Sequence, residues 1–156
     1  MSTLHKKDIR MNRTSIIDYY LNIAKAVSMR SSCLKRQYGA VIVNNQEIIS
    51  TGYNGSPRGE LNCCDLGYCE RLHEAHNSGN YDLCKSVHAE QNAIISASRR
   101  DMIGSVLYLY GEENGTTIEA DPCPICLRMI KNAGITTVVC STESGVKIYD
   151  VRRENL

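Results

Sequence analysis

Two short stretches carry the residues that most restrict how this chain can fold: His88-Ala89-Glu90 and Pro122-Cys123-Pro124-Ile125-Cys126. Each lies at the start of a predicted helix. Cys123 and Cys126 are three residues apart, so both sulfurs face one side of their helix. Pro124 suits the first helical turn, where its missing N–H is not needed. Helix starts that meet at the carboxyl ends of strands form the usual site of an open α/β sheet, so we expect the two stretches to converge.

Together these stretches supply one imidazole, two thiols and a carboxylate. Two thiolates and one neutral imidazole leave a fourth position of a zinc ion open for water, as in catalytic zinc sites, and zinc lowers the pKa of that water toward about 7. Glu90 is then free to move protons. This chemistry fits hydrolytic deamination of an aminated heterocycle. Alone, Cys-x-x-Cys also fits a structural zinc half-site or a redox dithiol, and a lone His88 fits a buried imidazole.

The composition excludes several classes of protein. The 156 residues, 42% hydrophobic, predict one globular domain. A formal net charge of +1, from 18 basic and 17 acidic residues, gives no electrostatic case for a nucleic-acid partner. No apolar run approaches the roughly 20 residues that span a bilayer, so no membrane partner is expected. Residues 1–13 are predicted to form a flexible tail, and they lack the apolar core of a secretory signal. Eight cysteines then favour metal binding or catalysis in the reducing cytoplasm.

Hydrophobic periodicity and turn residues predict the order of elements in the domain of residues 14–156. These elements are a helix from Ser15 to near Arg30, strands 38–43 and 47–51 joined at Asn44-Asn45, a helix over 87–98, a strand over 106–110, a helix from Pro122 to Ala133 stopped by Gly134, and strands 135–140 and 146–149. Strand–helix–strand crossovers indicate a partly parallel sheet with helices on its faces. Residues 52–85 and 112–121 are predicted as loops.

The two motif stretches resemble the signature blocks of the cytidine and deoxycytidylate deaminase superfamily, in which H-x-E and P-C-x-x-C mark zinc-dependent nucleobase deaminases. The closer resemblance is to deoxycytidylate (dCMP) deaminases and related competence-type proteins. It rests on residues 38–43, Gly52-Tyr53-Asn54-Gly55-Ser56-Pro57 and Ala133-Gly134-Ile135, and covers roughly residues 15–140. The resemblance implies an α/β, three-layer cytidine-deaminase-like fold, a mixed five-stranded sheet with helices on both faces.

By the same resemblance, the chain is a hydrolase that converts dCMP to dUMP and ammonia and feeds thymidylate synthesis. His88, Cys123 and Cys126 then hold the catalytic zinc, and Glu90 is the catalytic residue. The family places the sugar and phosphate near Asn54 and near Lys35 or Arg36, with Arg58 as a further phosphate candidate, since arginine binds phosphate through two parallel hydrogen bonds. The gap between the two signature blocks is longer than is usual in the family, because residues 111–120 look inserted just before the cysteine block. Family members are often hexamers regulated by dCTP and dTTP.

Some relatives bind a second, structural zinc. Cys33 and Cys63 match two of its positions, and Cys69 and Cys84 complete a four-cysteine set that suits a closed tetrahedral site. Such a site explains how the long irregular segment is ordered. Cys64, His73 and His76 compete for places in that set.

Two other hypotheses stay open at this stage. One keeps the reaction and changes the substrate to cytosine, guanine, a riboflavin precursor or tRNA adenosine; the balanced charge disfavours tRNA. The other is a zinc-stabilised interaction protein of the competence type. The intact Glu90 argues against it, because a structural zinc has no use for a proton carrier.

Overall fold

The computed structural model describes residues 12–76 and 78–153. Most of the predicted tail, residues 1–11, therefore lies outside the described residues. Within the described ranges, no helix combines the length and apolar character needed to cross a membrane.

The centre of the fold is a mixed sheet. Its strands are β1 (Gln37–Asn44), β2 (Glu47–Tyr53), β3 (Val106–Glu113), β4 (Thr116–Thr117), β5 (Thr137–Ser141) and β6 (Val146–Asp150). Five of them follow the order β2-β1-β3-β5-β6, and β4 pairs with the end of β3. The β3–β5 pair is parallel and the other pairs are antiparallel. The mixed α/β sheet predicted from the resemblance is confirmed, with the two-residue β4 added.

Helix α1 (Ile16–Ser28) covers one face of the sheet. The side chain of Ser15 caps it by accepting the Asp18 N–H at 3.1 Å, as the sequence predicts. Tyr20, Leu21 and Ala24 are buried against side chains of β1 and β3, including Val41. Because successive strand residues point to opposite faces, the residues flanking Val41 belong to the other core.

Helices α3 (Ala89–Ile95), α4 (Arg99–Met102) and α5 (Pro124–Ala133) belong to the core on the opposite face. That core joins Ala89, Ala93 and Ile130 to Ile42 and Leu107 of the sheet. Helix α5 ends at Gly134, whose φ of 90° is the left-handed conformation that favours glycine at a helix stop. The sheet between two helical layers gives the expected three-layer arrangement.

Three predicted boundaries need correction. The helix predicted over 87–98 is the shorter α3 followed by α4, because Ser96 ends the first and the chain turns before Arg99. The β1–β2 turn has positive φ at Asn45 and Gln46 instead of lying at Asn44-Asn45. Residues 112–117 form a short hairpin, since β3 continues to Glu113 and turns through Asn114-Gly115, both with positive φ; residues 118–121 have no regular structure, as predicted.

The segment between β2 and α3 is mainly irregular, as predicted. It contains only a four-residue helix, α2 (Cys63–Leu66), and a single 3₁₀ turn (Tyr81–Leu83) among its described residues. Lys35 ties it to the chain before β1 by donating hydrogen bonds to the carbonyl oxygens of Arg71 and Glu74. We call residues 56–85 the cysteine segment, since it carries Cys63, Cys64, Cys69 and Cys84.

Candidate active site

The start of helix α3 is fixed by the glycine-containing segment that follows β2. His88 is the N-cap of α3, and its backbone N–H donates to Gln91 Oε1 at 2.9 Å. The preceding residue, Val87, exchanges two backbone hydrogen bonds with Gly55, at 2.8 and 3.1 Å. The imidazole therefore leaves the backbone at a point that is held from both sides.

Helix α3 also lies against the backbone of β2. A Cβ on Gly52 would lie 2.3 Å from the carbonyl oxygen of Ala89 and 2.3 Å from the nitrogen of Ala93, so only glycine fits this contact. Two side chains strengthen it. Ser50 Oγ donates to the carbonyl of Ala93 at 2.7 Å, and Asn92 Nδ2 donates to the carbonyl of Tyr53 at 2.8 Å. These contacts set the position of the first turn of α3, which carries Glu90.

The start of helix α5 presents the two sulfurs. Cys123 is the N-cap, and its Sγ accepts the backbone N–H of Cys126 at 3.4 Å. Pro124 occupies the first turn as predicted. Cys126 is fully buried and Cys123 is 5% exposed.

The two helix starts converge. His88 Nδ1 lies 3.6 Å from Cys123 Sγ and 3.4 Å from Cys126 Sγ. Within residues 12–76 and 78–153, this is the one set of three or more potential ligands whose donor atoms all lie within 4.8 Å of one another. Two soft sulfurs and one imidazole nitrogen suit zinc, and three protein ligands leave a fourth position open. The donor set fits the metal that the sequence predicts.

The pKa values of His88, Cys123 and Cys126 are shifted mainly by their contacts with one another and by burial. The pKa of Cys123 is lowered to about 4, mainly by the Cys126 thiol beside it and also by His88, although burial opposes this. The same contact raises the pKa of Cys126, together with burial. The hydrogen bond with Cys123 raises the pKa of His88, although burial opposes this. Thiolate character at Cys123 favours a bound cation.

Glu90 lies two residues past His88 and is only 5% exposed. Burial raises the pKa of its carboxyl group, which favours the protonated form more than in water. Glu90, His88 and Cys123 line one cavity, the central cavity. A buried carboxyl group next to a potential metal site is placed to exchange protons with a molecule bound there.

Asn54, a predicted substrate contact, lines the central cavity, but most of its side-chain hydrogen bonds are made within the protein. Its Oδ1 accepts from the Tyr38 N–H at 2.8 Å and from Ser31 Oγ at 2.6 Å, and its Nδ2 donates to the Arg36 carbonyl at 2.9 Å. One N–H of its amide remains after these bonds.

The three predicted phosphate contacts differ in position. Lys35 and Arg36 line the central cavity, but the Lys35 ammonium already donates to two carbonyl oxygens. Arg36 forms an ion pair with Glu113 of the hairpin, with 3.4 Å between Nη2 and Oε2. Arg58 is exposed and lines a separate groove beside β2, so its prediction as a contact of this cavity is not supported.

Sequence reasoning missed two residues of the cysteine segment that line the central cavity, Arg71 and Tyr81. The Arg71 guanidinium lies 5.3 Å from the centre of the Tyr81 ring, and that ring centre lies 6.2 Å from the centre of the His88 ring. His76 lines the cavity too, and its pKa is lowered by burial and then by the charges of Arg36 and Lys35. Neither periodicity nor a motif in this segment signals these positions.

The four cysteines predicted for a second zinc are neighbours without forming a tight set. Cys33, Cys69 and Cys84 line the central cavity. Burial raises the pKa of Cys33 and of Cys63, and the nearby sulfurs of Cys69 and Cys84 raise both further. The four sulfurs do not meet the 4.8 Å spacing that the His88 cluster meets.

A three-layer fold with this cluster defines a zinc-binding α/β domain. A sequence model of the family described as the cytidine and deoxycytidylate deaminase zinc-binding region matches residues 14–142. The chain therefore belongs to the cytidine and deoxycytidylate deaminase family.

Individual relatives agree with this assignment. The deoxycytidylate deaminase of Schizosaccharomyces pombe is 37% identical over 131 residues, which span 83% of this chain and 38% of the yeast protein. The deoxycytidylate deaminase of Mycobacterium phage D29 is 35% identical over 140 residues, spanning 86% of this chain and all of the phage protein. The chain thus matches little more than a third of one relative and the whole of the other.

Solved structures of the dCMP deaminase from cyanophage S-TIM5 share the fold. The apo form superposes with a TM-score of 0.60 at 29% identity, covering 81% of this chain and 82% of the phage chain. The form in complex with dCMP and dUMP gives a TM-score of 0.56 at 29% identity, covering 80% and 79%.

Proposed function

We propose that this chain catalyses the zinc-dependent hydrolysis of dCMP to dUMP and ammonia. The observation that carries the proposal is the convergence of His88 with Cys123 and Cys126 beside the buried carboxyl group of Glu90. Relatives named deoxycytidylate deaminase support the reaction. The cyanophage enzyme in complex with dCMP and dUMP supports the substrate.

The residues take distinct roles in this proposal. His88, Cys123 and Cys126 hold the zinc, which supplies, when bound, a Lewis acid that activates water near neutral pH. Glu90 accepts the proton of the attacking water as its oxygen bonds to the amine-bearing ring carbon. Glu90 passes this proton to the ring nitrogen. It then takes the remaining proton from the added hydroxyl and gives it to the amine, so that the carbonyl forms, the carbon–nitrogen bond breaks and ammonia leaves. Its raised pKa suits a group that both accepts and donates a proton.

The polar residues of the cavity favour a nucleotide. Asn54 keeps one amide N–H for the substrate, and the charges of Lys35 and Arg36 favour an anion in the same cavity. The buried Glu90 disfavours the interaction-protein hypothesis, because burying a carboxyl group that has no role carries an unfavourable desolvation free energy.

An ammonia-release screen tests the proposal directly. The zinc-loaded protein is offered dCMP, deoxycytidine, cytosine, dCTP and guanine, and we expect dCMP to give the highest kcat/KM. Glu90→Gln should lower kcat for dCMP by at least about 100-fold, the range typical of general acid–base groups, while keeping its zinc. The matched control is Glu143→Gln, an exposed acidic residue of the β5–β6 loop.

Two outcomes would contradict the proposal. Unchanged ammonia release by Glu90→Gln would remove the proton-carrying role. Highest turnover of guanine or free cytosine would replace the substrate and leave the metal site standing.

We also propose a second, structural zinc held by Cys33, Cys63, Cys69 and Cys84. Their mutual electrostatic influence and the cavity that three of them share support it. A bound ion would draw the sulfurs together and supply the order that the cysteine segment lacks in regular structure. Denatured protein should then release about two zinc ions per chain; one ion per chain would remove this site.

Assembly and control follow from the family resemblance. We propose a homo-oligomer, a hexamer, with dCTP and dTTP as effectors. The groove beside β2, which is lined by Arg30 and Arg58, supports a second nucleotide site because arginine binds phosphate well. Light scattering and dCMP turnover with each effector test this; a monomer that ignores both nucleotides would contradict it. The cytoplasmic location stays a prediction.

A further inference from the structure

The central cavity gathers polar atoms that have no partner. Within residues 12–76 and 78–153, four buried side-chain nitrogen or oxygen atoms lack a hydrogen bond, and three of them belong to cavity-lining residues: Arg36 Nε, Tyr38 OH and Arg71 Nε. A buried polar group without a partner carries an unfavourable desolvation term. All three of these atoms are N–H or O–H donors. Their concentration in one cavity indicates a ligand that accepts hydrogen bonds.

The three cations of this cavity differ in how far their charge is already used. The Lys35 ammonium donates to two carbonyl oxygens of the cysteine segment. Arg36 is paired with Glu113. The guanidinium of Arg71 forms no ion pair with any residue in the described part of the chain. The hydrogen bond that it donates there, from Nη2 to Ser78 Oγ, is long at 3.5 Å. Arg71 is therefore the cation with most capacity left for an anion.

The position of Arg71 relative to the His88 cluster suits the two ends of one substrate. Tyr81 lies beside the His88 ring and also supports the guanidinium of Arg71. A guanidinium stacked on an aromatic ring keeps its N–H edge free for two parallel hydrogen bonds. A substrate whose reacting ring lies at His88 can thus extend past Tyr81 toward a fixed donor pair.

We propose that Arg71, supported by Tyr81, binds the phosphate of the nucleotide and so makes the chain select a nucleoside monophosphate over the nucleoside. This inference rests on the proposed function and refines its substrate class. Arg71 is a specificity-determining residue that acts at the end of the substrate remote from the reacting carbon. Arg36 Nε and Tyr38 OH supply further donors in the same cavity.

The test compares two substrates in one variant. Arg71→Gln should lower kcat/KM for dCMP by about 10- to 100-fold, the effect of losing a charge-assisted bidentate contact, mainly through KM. The same variant should change kcat/KM for deoxycytidine by far less. Arg71→Lys, which keeps the charge and loses the bidentate geometry, should recover part of the loss. Arg100→Gln, an exposed arginine of α4 outside the cavity, is the matched control.

Binding gives a readout that does not need turnover. Calorimetry with dUMP and with deoxyuridine on the zinc-loaded protein should show a phosphate-dependent gain in affinity that Arg71→Gln removes. Inorganic phosphate should compete with dUMP in the unaltered chain and not in the variant.

The outcomes separate this inference from the proposed function. Equal losses for dCMP and deoxycytidine, or an unchanged preference for dUMP over deoxyuridine, would overturn the role of Arg71. If the unaltered chain released no ammonia from either substrate, the proposed function would fail, and the calorimetric comparison would still decide whether Arg71 binds phosphate.

Discussion

The central cavity has two walls that are held in different ways. The framework wall consists of Asn54, residues 88–90 and Cys123, with the fully buried Cys126 behind Cys123; these residues lie at the end of β2 and at the starts of α3 and α5. The segment wall consists of six residues of the cysteine segment, of which only Tyr81 lies in a regular turn: Cys69, Arg71, Ala75, His76, Tyr81 and Cys84. Backbone pairing and helix packing fix the first wall, whereas side-chain contacts such as those of Lys35 fix the second. Our two proposals thus assign the chemistry to the rigid wall and recognition to the wall that sequence change can reshape.

The largest effect should come from the framework wall, on removal of a sulfur. Cys126→Ala should abolish zinc binding at the His88 cluster and lower ammonia release by at least about 1,000-fold, more than the 10- to 100-fold typical of residues that only support a ligand. Cys140→Ala is the matched control, because Cys140 is equally buried but lies in the apolar core of β5. Zinc released on denaturation and dCMP turnover provide the measurements. A Cys126→Ala protein that kept both would show that the framework wall does not hold the metal.

The framework wall was also the part that the sequence could predict. His88, Glu90, Cys123 and Cys126 each lie at the start of a helix, so helical periodicity, a proline and a spacing of three residues were enough to bring them together. The segment wall offered no such pattern. Arg71 is held at the cavity by the hydrogen bond that Lys35, 36 positions earlier, donates to its carbonyl oxygen. Tyr81 lies in a three-residue 3₁₀ turn, which is too short to show periodicity. The phosphate candidates named from the resemblance were therefore partly occupied, and Arg71 was missed.

A second prediction asks how much movement the framework wall tolerates. Gly52→Ala places a methyl group against the backbone of α3, so the helix that carries His88 and Glu90 must shift. We expect a loss of about 1–3 kcal/mol in the free energy of unfolding and about a 100-fold loss in kcat/KM, since misplacing a reacting group by about 1 Å has that effect. Gly145→Ala is the control, because an added Cβ there meets no atom within 4 Å. Denaturant unfolding and dCMP turnover give the two readouts, and equal behaviour of both variants would contradict the close packing of α3 on β2.

A third prediction moves to the segment wall, where effects on catalysis should be smaller. Cys69→Ser should reduce released zinc from about two ions to about one per chain and make the cysteine segment more sensitive to protease. The zinc at the His88 cluster should stay, because its ligands lie on the framework wall. Cys64→Ser is the control, because Cys64 is exposed and is not in the proposed ligand set. Its neighbour Cys63, which is in that set, is half-buried near Cys69. If Cys64→Ser lost zinc and Cys69→Ser did not, the ligand set would need to change.

The smallest effect concerns protonation on the segment wall, and it tests whether the two walls meet in solution. Burial lowers the pKa of His76 below 6.5, and the charges of Arg36 and Lys35 lower it further. Because the unfolded chain then binds a proton more readily than the folded chain, His76 should weaken folding as the pH falls below about 6.5 and have no effect well above it. An NMR titration should give a His76 midpoint below 6.5, raised by Arg36→Gln and unchanged by Arg100→Gln. A midpoint at 6.5 that ignored Arg36 would mean that the cysteine segment does not pack against the start of β1, and the cavity would then lose the wall that carries Arg71.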